Sequence, residues 1–254
     1  MKNKMLIGTD YDGTLRRGTP DVIPTDREAI KKWREDGNIF GIVTGRNIAS
    51  IESEIKALKL DYDYIAADNG GNIFAADGTR LFSKEVDGKY LKKLVQFIYD
   101  NGGLGCGVDH GIVHEDVFNR ERGMQIPDGS FFDKIKNFVQ VNTYFREVCE
   151  AQSLAAKVNK EFDGIVNAFV NGVCVDIPAF GISKATGVKA AADVFGVKYD
   201  DCITIGDNYN DIEMLEAFTS AAVSTTTDEI KRHATTTVND FAELTEFFTN
   251  LRNK

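Results

Sequence analysis

The sequence predicts an α/β protein in which a parallel-sheet core is interrupted by an inserted α+β segment. Three observations lead there. Short apolar runs alternate with helix-period segments at both ends of the chain. Each run stops at a cluster of polar and glycine residues. The middle of the chain changes character to helices plus a hairpin signal, as an insertion between two halves of one sheet would.

Residues 5–9 are an apolar run ending in Asp10, read as a buried strand that delivers polar groups at its C-terminal end. Thr25-Asp26-Arg27-Glu28 has capping-box spacing with Thr25 at the N-cap; Ala29, Ile30 and Trp33 supply an apolar face and Gly37 the stop. Residues 38–43 form the next strand and end in Thr44-Gly45-Arg46. Ile48, Ile51, Ile55 and Leu58 recur at helical steps, and residues 64–67 read as a third strand stopping at Asp68-Asn69-Gly70-Gly71. Near the other end, residues 184–195 are helical, with Val188, Ala191, Ala192 and Phe195 on one face and Gly196 closing them. Residues 202–205 are a strand ending in Gly206-Asp207, and Ile212, Leu215 and Phe218 begin another helix. The middle holds a helix through Tyr90, Leu91, Leu94, Val95 and Ile98, a second helix over 153–162, and period-two segments around 165–170 and 173–177 separated by Asn171-Gly172. The division expected is a core of 1–82 and 183–254 around an insert of 83–182.

A chain of 254 residues can bury a core without staples. Its formal net charge of -9 disfavours a nucleic-acid partner, and no basic patch offsets it. Cys106, Cys149, Cys174 and Cys202 are widely separated, which reads as reduced thiols and not a disulfide frame or zinc site. No signal peptide fits the first residues, and no apolar run reaches the roughly 20 residues a bilayer span needs. The expectation is a cytoplasmic protein without a membrane partner.

In parallel sheets the ligand crevice lies beyond the carboxyl ends of the strands. Asp10, Thr44 and Asn69 each sit just past a predicted strand, and Asp10, Asp12, Asp207 and Asp211 gather at that edge. Asp207 and Asp211, four apart at a predicted helix start, are expected to share its face. Two charges about 4 Å apart repel by about 4 kcal/mol at an effective dielectric of 20. Such a cluster calls for a cation, and an all-oxygen set selects Mg²⁺, which leaves positions open to phosphate oxygens. Asp10 is then the nucleophile, ionised at neutral pH by default. Asp12 carries the proton to the leaving oxygen and takes one from the attacking water, a role that calls for support from neighbouring carboxylates. Gly13 permits close backbone approach to phosphate, and Thr44 and Lys184 hold transition-state charge. For Lys184 the dipole argues the same way, because a helix start is a poor place for a cation without an anion partner.

At this point the residues resemble the haloacid dehalogenase-like (HAD-like) hydrolases, in particular their Cof-like phosphatases, along nearly the whole chain. Asp10-Tyr11-Asp12-Gly13-Thr14-Leu15 is similar to the first motif, Thr44-Gly45-Arg46 to the second, Gly181-Ile182-Ser183-Lys184 to the third and Gly206-Asp207-Asn208-Tyr209-Asn210-Asp211 to the fourth. The resemblance implies a Rossmann-like core with an α/β cap that selects substrate. It also implies Mg²⁺ on the Asp10 side chain, the Asp12 backbone carbonyl and Asp207, with Asp211 or Asn210 supporting. Gly13, Gly45, Arg46, Asn69 and Asn210 are the candidate substrate- or phosphate-binding residues. Two departures stand out: Tyr11 where Leu or Phe is usual, and residues 221–227 where a Gly-x-Ala-Met-Gly-Asn run is common.

The expected function is Mg²⁺-dependent hydrolysis of a small phosphate monoester, a sugar phosphate or related metabolite, through an aspartyl-phosphate on Asp10. The alternatives are a phosphosugar mutase on the same scaffold and, in another class, a receiver-like phosphoacceptor module. The partner expected is a small phosphorylated metabolite, and the chain a monomer or weak homodimer. In the insert, His110 and His114 read as structural, Phe131-Phe132 as core. Arg120 and Arg122 read equally as anion contacts or a solvated loop.

Overall fold

The computed structural model describes residues 4–18 and 21–252. The strands and helices run, in chain order, β1 (Leu6–Thr9), α1 (Pro24–Glu35), β2 (Ile39–Val43), α2 (Ile48–Leu58), β3 (Tyr64–Ala67), β4 (Asn72–Ala75), β5 (Arg80–Ser83), β6 (Val86–Asp87), α3 (Leu91–Asp100), β7 (Gly105–His110), β8 (Val113–Asn119) and α4 (Gly129–Lys134). They continue as β9 (Asn137–Phe138), β10 (Gln140–Tyr144), α5 (Val148–Glu161), β11 (Phe169–Asn171), β12 (Cys174–Pro178), α6 (Lys184–Phe195), β13 (Cys202–Gly206), α7 (Ile212–Ala217), β14 (Thr219–Val223), α8 (Asp228–Lys231), β15 (Thr236–Val238) and α9 (Phe241–Arg252).

Eight strands form one sheet in the order β15-β14-β13-β1-β2-β3-β4-β5, parallel from β15 to β3 and antiparallel over β4 and β5. Alternating side chains supply two cores, as a sheet covered on both faces requires. Ile7, Phe40, Ile65 and Ile205 pack with Ile30 and Trp33 of α1, Ile51 of α2 and Phe241 of α9. Leu6, Val43 and Ala66 pack on the other face with Val188 and Ala191 of α6 and Met214 of α7.

The second sheet, β11-β12-β10-β7-β8, is antiparallel throughout. Its inward side chains, among them Val108, Val141, Val175 and Ile177, bury against Leu94 and Ile98 of α3 and Leu154 and Val158 of α5. That uses one face of the sheet. Gln140, Asn142 and Tyr144 of β10, with Cys174 and Asp176 of β12, fall on the other by alternation.

Several sequence expectations change. Helix α1 starts at Pro24, whose fixed φ suits a first helical position; its N-cap is Ile23, so Thr25 lies inside the first turn and caps nothing. Asp26 instead accepts the backbone N–H of Phe241 and an ion pair from Arg17. Helix α5 begins five residues before the expected 153, because Glu147 and Glu150 form a reciprocal capping box. The pairing Asn171↔Cys174 places the hairpin loop at Gly172-Val173, with Gly172 at φ 59°, and over 165–168 there is only a single bridge from Val166 to Ala179. Helix α6 has the expected bounds: Ser183 caps it, and Gly196 ends it in the left-handed region.

Candidate active site

Asp10 follows β1, and its N–H continues the ladder to the Ile205 carbonyl of β13. Lys184 is the first residue of α6, and Asp211 closes the turn after β13. The Lys184 Nζ donates to Asp10 Oδ1 and to Asp211 Oδ1, each at 2.6 Å, and the lysine is only 2% exposed. Burial pulls the lysine pKa down, but the two carboxylates override it and hold the ammonium charged. A cation at a helix N-terminus thus gains the anion partners that its dipole denies it.

The other Asp211 oxygen accepts the N–H groups of Asp207 and Asn208, both at 3.0 Å. The two aspartates meet through this tight turn. They do not share a helical face, as their spacing suggested, because Asp207 lies before α7 and before the turn that leads into it. Asp207 Oδ1 accepts from the Thr14 hydroxyl at 2.8 Å, and Thr226 donates to the Asp207 carbonyl from the stretch that departs from the family's glycine run. Gly13 is fixed twice, by φ 89° and by the Asp207 carboxylate occupying the place of its Cβ. Its N–H already donates to the Arg16 carbonyl at 3.0 Å, so Gly13 shapes the loop and does not offer that N–H to phosphate.

One carboxylate oxygen from each of Asp10, Asp207 and Asp211 lies within 4.8 Å of the others. Among the described residues, Asp10 Oδ2 and Asn210 Oδ1 are buried without a hydrogen-bond partner. A compact, largely buried set of carboxylate oxygens with no nitrogen or sulfur donor fits a hard cation such as Mg²⁺. The cluster also crowds Asp10 with other carboxylates. Burial raises its pKa well above the usual carboxylate range; Lys184 lowers it, while Asp211 and Asp207 raise it further. Asp207 is likewise raised by burial, with Thr14 opposing. A cation would remove that penalty.

Asp12 is the clearest departure from expectation. Its side chain lies outside the buried carboxylate group and is gripped by Arg46, Nε to Oδ2 at 2.6 Å and Nη2 to Oδ1 at 2.7 Å. Its direct partner is a guanidinium, not another carboxylate. Arg46 is anchored in turn by Glu54, which also accepts from Tyr11 at 2.9 Å and Arg16 at 3.1 Å. Thr44 is buried, and its hydroxyl accepts the Arg46 N–H at 3.2 Å.

Asn69 is not placed to bind substrate. It is 1% exposed, and its amide donates to Gln140 Oε1 at 2.9 Å and Asp176 Oδ2 at 3.2 Å, both on the inserted sheet. Gln140 donates onward to the Gly45 carbonyl at 2.9 Å. A Cβ on Gly45 would stand 2.6 Å from Asp176 Oδ2, so that glycine is a contact between sheets. A cleft of about 310 Å³ opens between them, walled by Asp10, Asp12, Thr44, Arg46, Lys184 and Asn210 on one side. The opposite wall is Asn142, Tyr144, Asn171, Cys174 and Asp176. Sequence reasoning missed this wall, although Asp176 alternates with the buried Val175 and Ile177 along its strand, a pattern that marks a second, polar face. Arg120 and Arg122 are not part of it; Arg120 stacks 3.8 Å from the Tyr99 ring centroid. His110 and His114 pair with Glu115 at 2.8 Å and Asp109 at 2.7 Å across the β7–β8 hairpin.

A buried lysine bridging two strand-end aspartates, beneath an inserted antiparallel sheet, defines a capped α/β enzyme scaffold. A family model described as haloacid dehalogenase-like hydrolase matches residues 7–243. The chain belongs to that family, and its architecture is that of the Cof-like branch. Among similar proteins, a pyridoxal phosphate phosphatase of Escherichia coli is 26% identical over 92% of this chain and 93% of its own length. A phosphatase structure from Bacteroides thetaiotaomicron superposes with TM-score 0.79 at 23% identity, covering 99% of this chain and 95% of that one. A subclass IIB sugar phosphatase gives TM-score 0.75 at 20% identity, covering 94% and 95%. Among the described residues no helix is long and apolar enough to cross a membrane.

Proposed function

We propose that this chain is a Mg²⁺-dependent phosphatase that hydrolyses a small phosphate monoester through an aspartyl-phosphate on Asp10. The observation that carries the reading is the state of Asp10: one oxygen is held by Lys184, and the other is buried with no partner at the cleft. That second oxygen is the nucleophile. It forms a bond to phosphorus as the bond from phosphorus to the leaving oxygen breaks. Asp12 delivers the proton the leaving oxygen needs and then takes one from the water that cleaves the acyl phosphate. To do so it must exchange one of its Arg46 contacts for substrate. Lys184 keeps Asp10 oriented and balances its charge, and the Thr44 hydroxyl is available to a phosphoryl oxygen. Asp10, Asp207 and the Asp12 backbone carbonyl, with Asp211 or Asn210 supporting, are the groups that would hold Mg²⁺, which would supply positive charge to the transferring phosphoryl group. The division proposed is a catalytic core of 1–82 and 183–254 around a cap of 83–182; the two separate sheets support it, although the last core strand before the cap runs one residue further, to Ser83.

The relatives support a phosphomonoester over other hydrolase substrates, since those described above are named as phosphatases. Asp10→Asn tests the reading. The expected result is loss of phosphate release from p-nitrophenyl phosphate in Mg²⁺ with an unchanged circular dichroism spectrum. Full turnover by that variant would end it.

A further inference from the structure

The two walls of the cleft differ in charge in a way that the catalytic reading does not explain. None of the strands β7, β8, β10, β11 and β12 contains Lys or Arg. The only Lys and Arg side chains among the described residues lining the cleft are Arg46 and Lys184. Both already face two carboxylates: Asp12 and Glu54 for Arg46, Asp10 and Asp211 for Lys184. Whatever lies against the cap therefore meets no uncommitted cation. It meets an amide at Asn142, a thiol at Cys174 and a carboxylate at Asp176, in register as Asn142↔Asp176 on neighbouring strands.

Asp176 is 8% exposed, and one of its oxygens accepts from Asn69. Among the described residues its other oxygen has no hydrogen-bond donor, and the residue lines the cleft. Burial pushes its carboxyl up to about 6, with Asn69 and Lys184 pulling it down and Asp109 pushing it up, so the anion prevails at neutral pH. An acceptor-only group in a confined wall favours a donor and repels an anion.

We infer that Asp176 is a specificity-determining residue that accepts a hydroxyl of the leaving group and rejects leaving groups bearing a carboxylate or second phosphate. The inference rests on the phosphatase reading above and narrows its substrates to hydroxyl-rich, otherwise uncharged monoesters. A cleft of about 310 Å³ has room for a group of that kind.

Two matched pairs test it: glycerol 3-phosphate with 3-phosphoglycerate, and glucitol 6-phosphate with 6-phosphogluconate. Within each pair the carbon chain is shared, and a hydroxymethyl group is replaced by a carboxylate. The wild type is expected to favour the uncharged member by about tenfold or more in kcat/KM, and Asp176→Asn to shrink that ratio by about tenfold, as a single buried polar contact can. Asn142→Lys, which adds a cation to the same wall, should raise the carboxylated member. Thermal melts of both variants check that they fold. The inference is overturned if the wild type favours the carboxylated members, if neither variant moves the ratio, or if no member of either pair turns over. Running Asp10→Asn alongside separates the two claims. Its surviving turnover counts against the phosphatase reading, whereas its inactivity beside an unchanged Asp176→Asn ratio counts against this inference alone.

Discussion

The core wall of the cleft and the cap wall are both polar, yet they are built in opposite ways. On the core side, charge is matched: Lys184 is buried between Asp10 and Asp211, and Arg46 lies partly exposed between Asp12 and Glu54. On the cap side the groups are acceptors and amides without Lys or Arg. Matched buried charge fixes geometry, because every displacement uncovers an unpaired ion. An unmatched polar face leaves its capacity for whatever enters. On the proposed reading, one wall sets the reaction and the other the choice of substrate.

Removing the charge at the centre of the core wall should have the largest effect. Lys184→Met leaves Asp10 and Asp211 buried without their cation, and chemical denaturation should show a loss of about 3–5 kcal/mol together with loss of turnover. Retained stability would mean that the pair is not the structural centre described. Next is the joint between the walls. Gly45→Ala drives a methyl toward Asp176 and Asn69, and overpacking of this kind costs about 1–3 kcal/mol. A melting temperature equal to wild type would show that the contact yields freely. Arg46→Ala should change stability by less than about 1 kcal/mol, since the ion pairs are partly exposed. Turnover should nevertheless fall roughly tenfold or more as Asp12 loses its hold.

The smallest effect lies on the cap hairpin. The hydrogen bond to Asp109 raises the His114 pKa above its ordinary value, with burial opposing. The protonated form is therefore the stabilising one. Its contribution is complete below the unfolded value near 6.5 and lost as pH rises through the raised folded value. The stability advantage of wild type over His114→Gln should be greater at pH 6 than at pH 9, and an advantage that grows with pH would contradict the pairing.

The core was more legible in the sequence than the cap, for physical reasons. Strands buried on both faces read as apolar runs, and α6 announces itself by Ser183, its apolar stripe and Gly196. Strand β7 carries two glycines and an aspartate, while β10 is polar at every second position, so neither shows as an apolar run. The expected four-residue helical spacing of Asp207 and Asp211 was a turn because Asp211 caps backbone N–H groups that a helix would have used otherwise. Spacing alone did not reveal Arg46 as the partner of Asp12, since 34 residues separate them. Asn69 looked like a cleft residue because it follows a strand; the cap, of whose sheet only the Asn171-Gly172 hairpin was legible, is what covers it.

The central claim is that the unpartnered oxygen of Asp10 is the atom that bonds to phosphorus. Acid quench of the Mg²⁺-loaded protein during turnover, followed by borohydride reduction and peptide mapping by mass spectrometry, tests it directly. The account predicts an acyl phosphate at Asp10 alone. Label at another residue, or none while phosphate is being released, would contradict it.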